Sequence, residues 1–225
     1  KTIQKELKVP NFEWSNKTLF FGLYDRVTSF WENSAMQASG RISKEELAIL
    51  NPLKKYLPES IFSDPVFIPP KSKPDKVDRK NRRKAIKLFK DAGWDLVDGK
   101  LKNKKGDIFS LEILNYSPAF DRIINPFIEN LKLLGIEAKH TRIDSTQYTE
   151  RVRNFEWEII TSTYGNSLTP GIELVQQYSS KTADVPSRNL VGLKNEGIDI
   201  LINLAANAKT RKELNEIIRS LDRSL

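Results

Sequence analysis

The pattern of apolar and polar positions is most informative between Asp107 and Asn166. Leu111, Ile113 and Leu114 make a short apolar run with no helical spacing. From Phe120 the period changes. Phe120, Ile123, Ile124, Phe127, Ile128, Leu131 and Leu134 recur at steps of three and four, which predicts one wide stripe on a helix. Ser117 before Pro118 suits an N-cap and first turn, and Gly135 suits the residue just past the helix end. IEAKHTRID then reads as a strand, Asp144 or Ser145 caps a second helix, and Ile159 and Ile160 fall in a third strand. A strand, a helix and a strand in that order form a crossover that makes the strands parallel. Two in succession predict an α/β fold: a doubly wound, mainly parallel sheet flanked by helices. Ligands of such layers gather beyond the carboxyl ends of the strands. Here those ends are Tyr116-Ser117, Asp144 and Tyr164-Gly165-Asn166-Ser167.

Upstream, residues 1–36 hold Phe12, Trp14, Phe20, Phe21, Tyr24, Phe30 and Trp31, most of them expected in the core. Phe30 and Trp31 are adjacent, so a strand would send them to opposite faces. NKTLFFGLYDR predicts a short helix ending near Gly22, and VTSFWENS an irregular segment or short strand. Ser43 and Glu46 form a capping box. Six prolines at 52, 58, 65, 69, 70 and 74 then predict a long surface excursion. Ala85, Ile86, Phe89 and Ala92 mark the inner face of a helix ended by Gly93, and Asp98-Gly99 the turn of a small hairpin. Near the C-terminus, Thr169 is expected to cap a helix running through Gln177. A helix spans Gly197–Ala208, and Thr210 with Glu213 opens a closing one. This divides the chain into residues 1–78, an aromatic and proline-rich segment packed on the rest, and 79–225, the α/β part at whose strand ends a ligand is expected.

With no cysteine, thiol nucleophiles, disulfides and Cys-ligated metals are excluded, while cytoplasm and periplasm both remain open. No apolar run approaches the roughly 20 residues of a membrane span. The opening KTIQKELKVP lacks the apolar stretch of a secretory signal. The net charge of +8 is local: Lys71–Lys105 holds fourteen Lys or Arg against five Asp, a surplus of nine, leaving −1 for the other 190 residues.

Catalytic constellations do not assemble. His140, the only histidine, sits mid-strand with no metal-ligand spacing around it. Glu156 and Glu158 share one face beside Trp157, whereas a glycosidase pair comes from different elements across a cleft. Phosphate-cradling glycine motifs and the GxSxG elbow are absent. The expectation is therefore a non-enzyme with no cofactor, no metal and no catalytic residues. The basic segment has two readings, a phosphate-binding patch or a solvated helix face, and the scarcity of interleaved aromatics favours the second. The loop TYGNSLTPG also has two: a simple β–α turn, or exposed backbone groups suited to a ligand recognised through its main chain or carboxylate.

Several segments in sequence carry a resemblance: NKTLFFGLYDRVTSFWENS, KAIKLFKDAGWDLVDGKL, DIFSLEILNYSPAFDRIINPFIENLKLLGI and SRNLVGLKNEGIDILI. From about Asn11 to Leu225 the chain resembles the second lobe of family 5 extracellular solute-binding proteins, the peptide-, dipeptide- and nickel-binding family. The NSLTPG loop and the FFGLY…SFWENS block are most similar to its YejA-like microcin C and oligopeptide branch. The resemblance implies a type II periplasmic-binding-protein lobe. It implies a periplasmic receptor that captures an oligopeptide by hinge closure and passes it to the inner-membrane permease of an ABC importer. No catalysis, no cofactor and no nucleic-acid partner are implied. Residues matching the peptide-gripping loops are Thr163, Tyr164, Gly165, Asn166 and Ser167, with Arg188 and Asn189 as a second loop and Phe30 and Trp31 as a further lining.

Related receptors for free peptides often carry an acid where this chain has Asn166. A neutral amide cannot offset a buried ammonium, so the resemblance points to an N-blocked, formylated or microcin C-like peptide. Family members run to well over twice this length. The expectation is one lobe whose N-terminal partner lobe is missing, with a periplasmic parent protein. Two other readings stand beside it: a basic nucleic-acid-associated module using Lys71–Lys105, and a truncated remnant without ligand.

Overall fold

The computed structural model describes residues 12–71 and 79–225. The lysine-rich opening, Pro74 and the expected division at residue 78 lie outside or at the edge of the described residues. The chain forms two compact units, one joining the chain up to Arg26 with Pro69–Ser162, the other joining Val27–Ile68 with Thr163–Leu225.

The first unit contains the expected crossover. Strands β1 (Asp95–Val97) and β2 (Lys100–Lys102) form the antiparallel hairpin, and β3 (Ser110–Asn115) pairs in parallel with β4 (Glu137–Arg142). Asp98 and Gly99 both have positive φ, 52° and 75°, as the tight turn of a two-residue hairpin requires. Between β3 and β4 runs the helix Asp121–Lys132, which buries Ile124, Ile128 and Leu131. These close on Phe89, Leu101, Ile113 and Ile136. The third strand contracts to a single parallel bridge, Ile113 with Ile159. Leu114 N donates to Ile159 O (2.9 Å) and Ile159 N to Glu112 O (3.1 Å). The next donor along β3, Glu112 N, is taken by the Glu158 carboxylate instead of a backbone carbonyl, so the ladder stops there. The parallel order is thus β4, β3, Ile159, with β3 central.

Two caps separate cleanly. Asp144 caps the helix Ser145–Arg153, accepting from Thr146 N (2.9 Å) and Gln147 N (3.0 Å). Ser117 makes no side-chain cap. The neighbouring Asn115 fixes that turn instead, bonding Ser117 N and Ser117 O. His140 is a strand residue of β4, with Nδ1 3.2 Å from Asn125 Oδ1 and Nε2 3.7 Å from Asp121 Oδ1.

Among its described residues the second unit is helical: Lys44–Leu50, Ser60–Ser63, Ile172–Tyr178, Glu196–Asn207 and Arg211–Ser224, with short 3-10 turns. The capping box at Ser43 and Glu46 forms as the spacing predicts. Thr210 accepts from Glu213 N, while the Glu213 side chain reaches back to Lys209 N. The proline-rich excursion is more than a surface path, because Leu53 and Leu57 enter the core beside Leu50, Leu201 and Ile218. Prolines break its helical period but leave single apolar side chains free to dock. Thr169 does not cap. The helix starts two residues later than expected, behind Gly171.

The early aromatics also depart from expectation. Trp31 is buried, but Phe21 and Tyr24 are exposed, and Phe12, Trp14 and Phe20 are only half-buried. Only Phe12 and Trp14 lie on the helix Phe12–Leu19, which buries none of its residues, and Phe20, Phe21 and Tyr24 follow its end.

Candidate ligand-binding site

Thr163–Ser167 belongs to the second unit and adopts no regular structure. Its carbonyls are partly anchored. Trp31 Nε1 donates to Ser167 O (3.1 Å), and the buried Gln177 amide donates to Gly165 O (3.2 Å). By contrast, no backbone N–H from Thr163 to Ser167 donates to any described residue. Thr163, Gly165 and Ser167 are exposed, so this is a solvent-facing row of unspent donors.

Beside the loop stands a cluster of three rings. Tyr164 stacks on Tyr178 at 6.4 Å and 10° between planes. Phe30 meets each of them edge-on at 5.7 Å. Such pairs add roughly 0.5–1.5 kcal/mol each beyond burial. Burial pushes the Tyr178 hydroxyl up to about 12 and raises that of Tyr164, so both stay neutral donors. The Asn166 amide lies 3.4 Å from the Tyr178 hydroxyl, a long contact that a better-placed partner could displace.

Position 30 is held by a carboxylate distant in sequence. Asp222 accepts from Ser29 Oγ (2.7 Å), Phe30 N (3.0 Å) and Ala38 N (2.8 Å). Burial raises its pKa despite those donors. Ser29 Oγ in turn accepts from Trp31 N at 2.8 Å. The split of Phe30 (42 % exposed) from Trp31 (3 %) follows, with one ring left at the surface and the other driven into the helical core.

The structure therefore brings Phe30, Trp31, Tyr164, Gly165, Asn166 and Ser167 together, with Thr163 at the loop's start. The other expected pair differs. Arg188 is exposed, and Asn189 is fully buried with its amide spent on its own loop: Nδ2 on Ser179 O and Leu193 O, Oδ1 on Leu193 N. Sequence reasoning missed Tyr178, Gln177 and Asp222. Tyr178 closes an apolar helix and carried a weak signal, but nothing in the sequence marks Asp222. In the first unit, Tyr116 is half exposed with its ring 4.8 Å from that of Tyr148, and Asp144 is occupied as a cap. Among the described residues, no group of three metal-ligating side chains comes together.

The parallel βαβ core and the surrounding helices have the α/β fold of the type II periplasmic-binding proteins. Solved structures share it. The chain superposes on the oligopeptide-binding protein of Thermus thermophilus, crystallised with a pentapeptide, with TM-score 0.62 and 20 % identity, covering 98 % of this chain and 35 % of that one. The Escherichia coli murein tripeptide binding protein MppA gives 0.61 at 12 % identity, over 98 % and 35 %.

The chain belongs to the bacterial extracellular solute-binding proteins, family 5, whose middle-region model matches residues 11–185. It is 38 % identical over 217 residues to the "Uncharacterized protein y4wM" of Sinorhizobium fredii and 36 % identical to the "Probable peptide-binding protein YejA" of Agrobacterium fabrum. In both cases 96 % of this chain is covered, against 33 % and 35 % of the relatives, so it spans about a third of their length.

Proposed function

We propose that this chain supplies the peptide-gripping lobe of a receptor that feeds an ABC importer. The observation that carries the reading is the exposed row of unspent backbone N–H groups from Thr163 to Ser167, next to the Phe30, Tyr164 and Tyr178 rings. An extended peptide offers the matching carbonyls, and main-chain pairing gives affinity without demanding particular side chains. Phe30 and Tyr164, the two of these rings that reach the surface, offer an apolar contact for them. Arg188, exposed on its own loop, is a secondary contact in this reading, whereas Asn189 supports that loop. Capture then requires a second lobe to close over the peptide, because half a cleft leaves most of a ligand wet. The similar proteins named for binding peptides support the class of ligand.

The finer proposal concerns the peptide's amino end. Asn166 puts a neutral amide in the loop, and Asp222, the carboxylate bonded to Phe30 N, already serves three donors. A free ammonium would be left without a counter-charge there, which favours a formylated or otherwise blocked terminus, as in microcin C-like peptides. The test is titration calorimetry on the receptor with both lobes, using matched formylated and free-amine peptides. Tighter binding of the formylated form is expected. A clear preference for the free amine refutes the blocked-end proposal, and no heat with either refutes peptide capture itself.

A further inference from the structure

The helix Arg79–Asp91 in the first unit carries a charge distribution that peptide capture does not use. Ala85 and Phe89 face the core. At about 100° per residue, Arg79, Lys80, Arg83, Lys87 and Lys90 fall within an arc of roughly 100° on the opposite side. All five are exposed, and none pairs with an acid among the described residues. No apolar or aromatic residue interrupts the arc, and within the helix the carboxylate of Asp91 stands at its edge. Thirteen residues make it about 20 Å long.

We infer that this face docks the protein reversibly on an anionic phospholipid surface. A stripe of five cations with no interleaved ring offers no stacking platform for the bases of a single strand, and it matches the diffuse negative charge of headgroups. The absence of apolar side chains on the face means that it rests on the headgroups and does not insert. Family 5 is extracellular, where a bacterium's anionic lipid is the polyanion at hand and nucleic acid is not. Docking would hold a receptor in the plane of the importer and shorten its search. The inference is independent of which peptide is captured.

The test is vesicle flotation with the 225-residue chain and vesicles of about 30 % phosphatidylglycerol in phosphatidylcholine, at about 0.05 M and 0.5 M salt. Each cation at such a surface adds about fivefold, so R83E/K87E should bind at least ~30-fold more weakly. The control K209E/K212E makes the same change in net charge at exposed lysines of the other unit and should bind like the unaltered chain. Circular dichroism confirms that both variants fold. Binding lost at high salt and in R83E/K87E alone supports the inference. Equal binding to pure phosphatidylcholine, equal loss in both variants, or retention on duplex DNA without binding to vesicles overturns it.

Discussion

Replacing Asp222 by Ala tests how the aromatic face is built. The carboxylate serves two backbone N–H groups and one hydroxyl on the segment from Ser29 to Ala38. Hydrogen bonds to a charged group contribute about 1.5–3 kcal/mol each, and a simple sum would exceed about 4.5 kcal/mol. That sum overstates the loss for two reasons. Burial raises the carboxyl's pKa, so burying its charge offsets part of the gain. Phe30 is 42 % exposed, so water can reach some orphaned donors. A loss of about 1 kcal/mol per donor, about 2–4 kcal/mol in all, is the expected outcome.

Urea unfolding measures it as a midpoint lowered by roughly 1–2 M at a slope near 2 kcal/mol per M. The sign with pH is fixed as well. A folded-state pKa above the ordinary carboxyl value means that the native protein keeps this proton longer. Stability from this group is then full below the ordinary value, 3.8, and declines as pH rises through the raised one. The advantage of the unaltered protein over D222A should therefore shrink across that window. Near-ultraviolet circular dichroism should change as Phe30 loosens from Tyr164 and Tyr178. A variant within about 0.5 kcal/mol of the parent by the same ~1 kcal/mol-per-donor reckoning, or an advantage that grows with pH, would refute the account.

Two further sites, one in each unit, can be probed by substitution. At Gly135, with φ +83°, an added Cβ would lie 2.9 Å from Leu101 N and 3.1 Å from Gly99 O. Gly135→Ala should cost about 2–4 kcal/mol by urea unfolding, whereas Gly106→Ala, at φ +88° in open space, should cost only the conformational ~1 kcal/mol. Arg223 and Glu46 form an ion pair with both side chains 2 % exposed, and Arg223 also serves the carbonyls of Ser39, Gly40 and Arg41. Glu46→Gln should destabilise by about 3–5 kcal/mol, and Glu46→Leu with Arg223→Met should recover part of it. Equal losses in the two would contradict a buried-charge penalty.

The sequence by itself determined whatever depends on neighbours along the chain. The three-and-four spacing from Phe120 to Leu134, the capping pairs at Ser43 and Thr210, the Asp98-Gly99 turn and the Asp144 cap all act within a few residues. Each appears as its local chemistry demands. The parallel crossover follows from their order. Only the tertiary structure decided which of Phe30 and Trp31 points outward, because the deciding contacts come from Ser167, Tyr178 and Asp222, more than 130 positions away. It also decided that the third strand shortens to a bridge, once the Glu158 side chain takes a donor that a longer ladder would have used. Periodicity encodes which face of an element is apolar. Which distant carboxylate or carbonyl satisfies a given donor depends on where the packed elements leave an acceptor within about 3 Å, a fact that exists only once the chain has closed on itself.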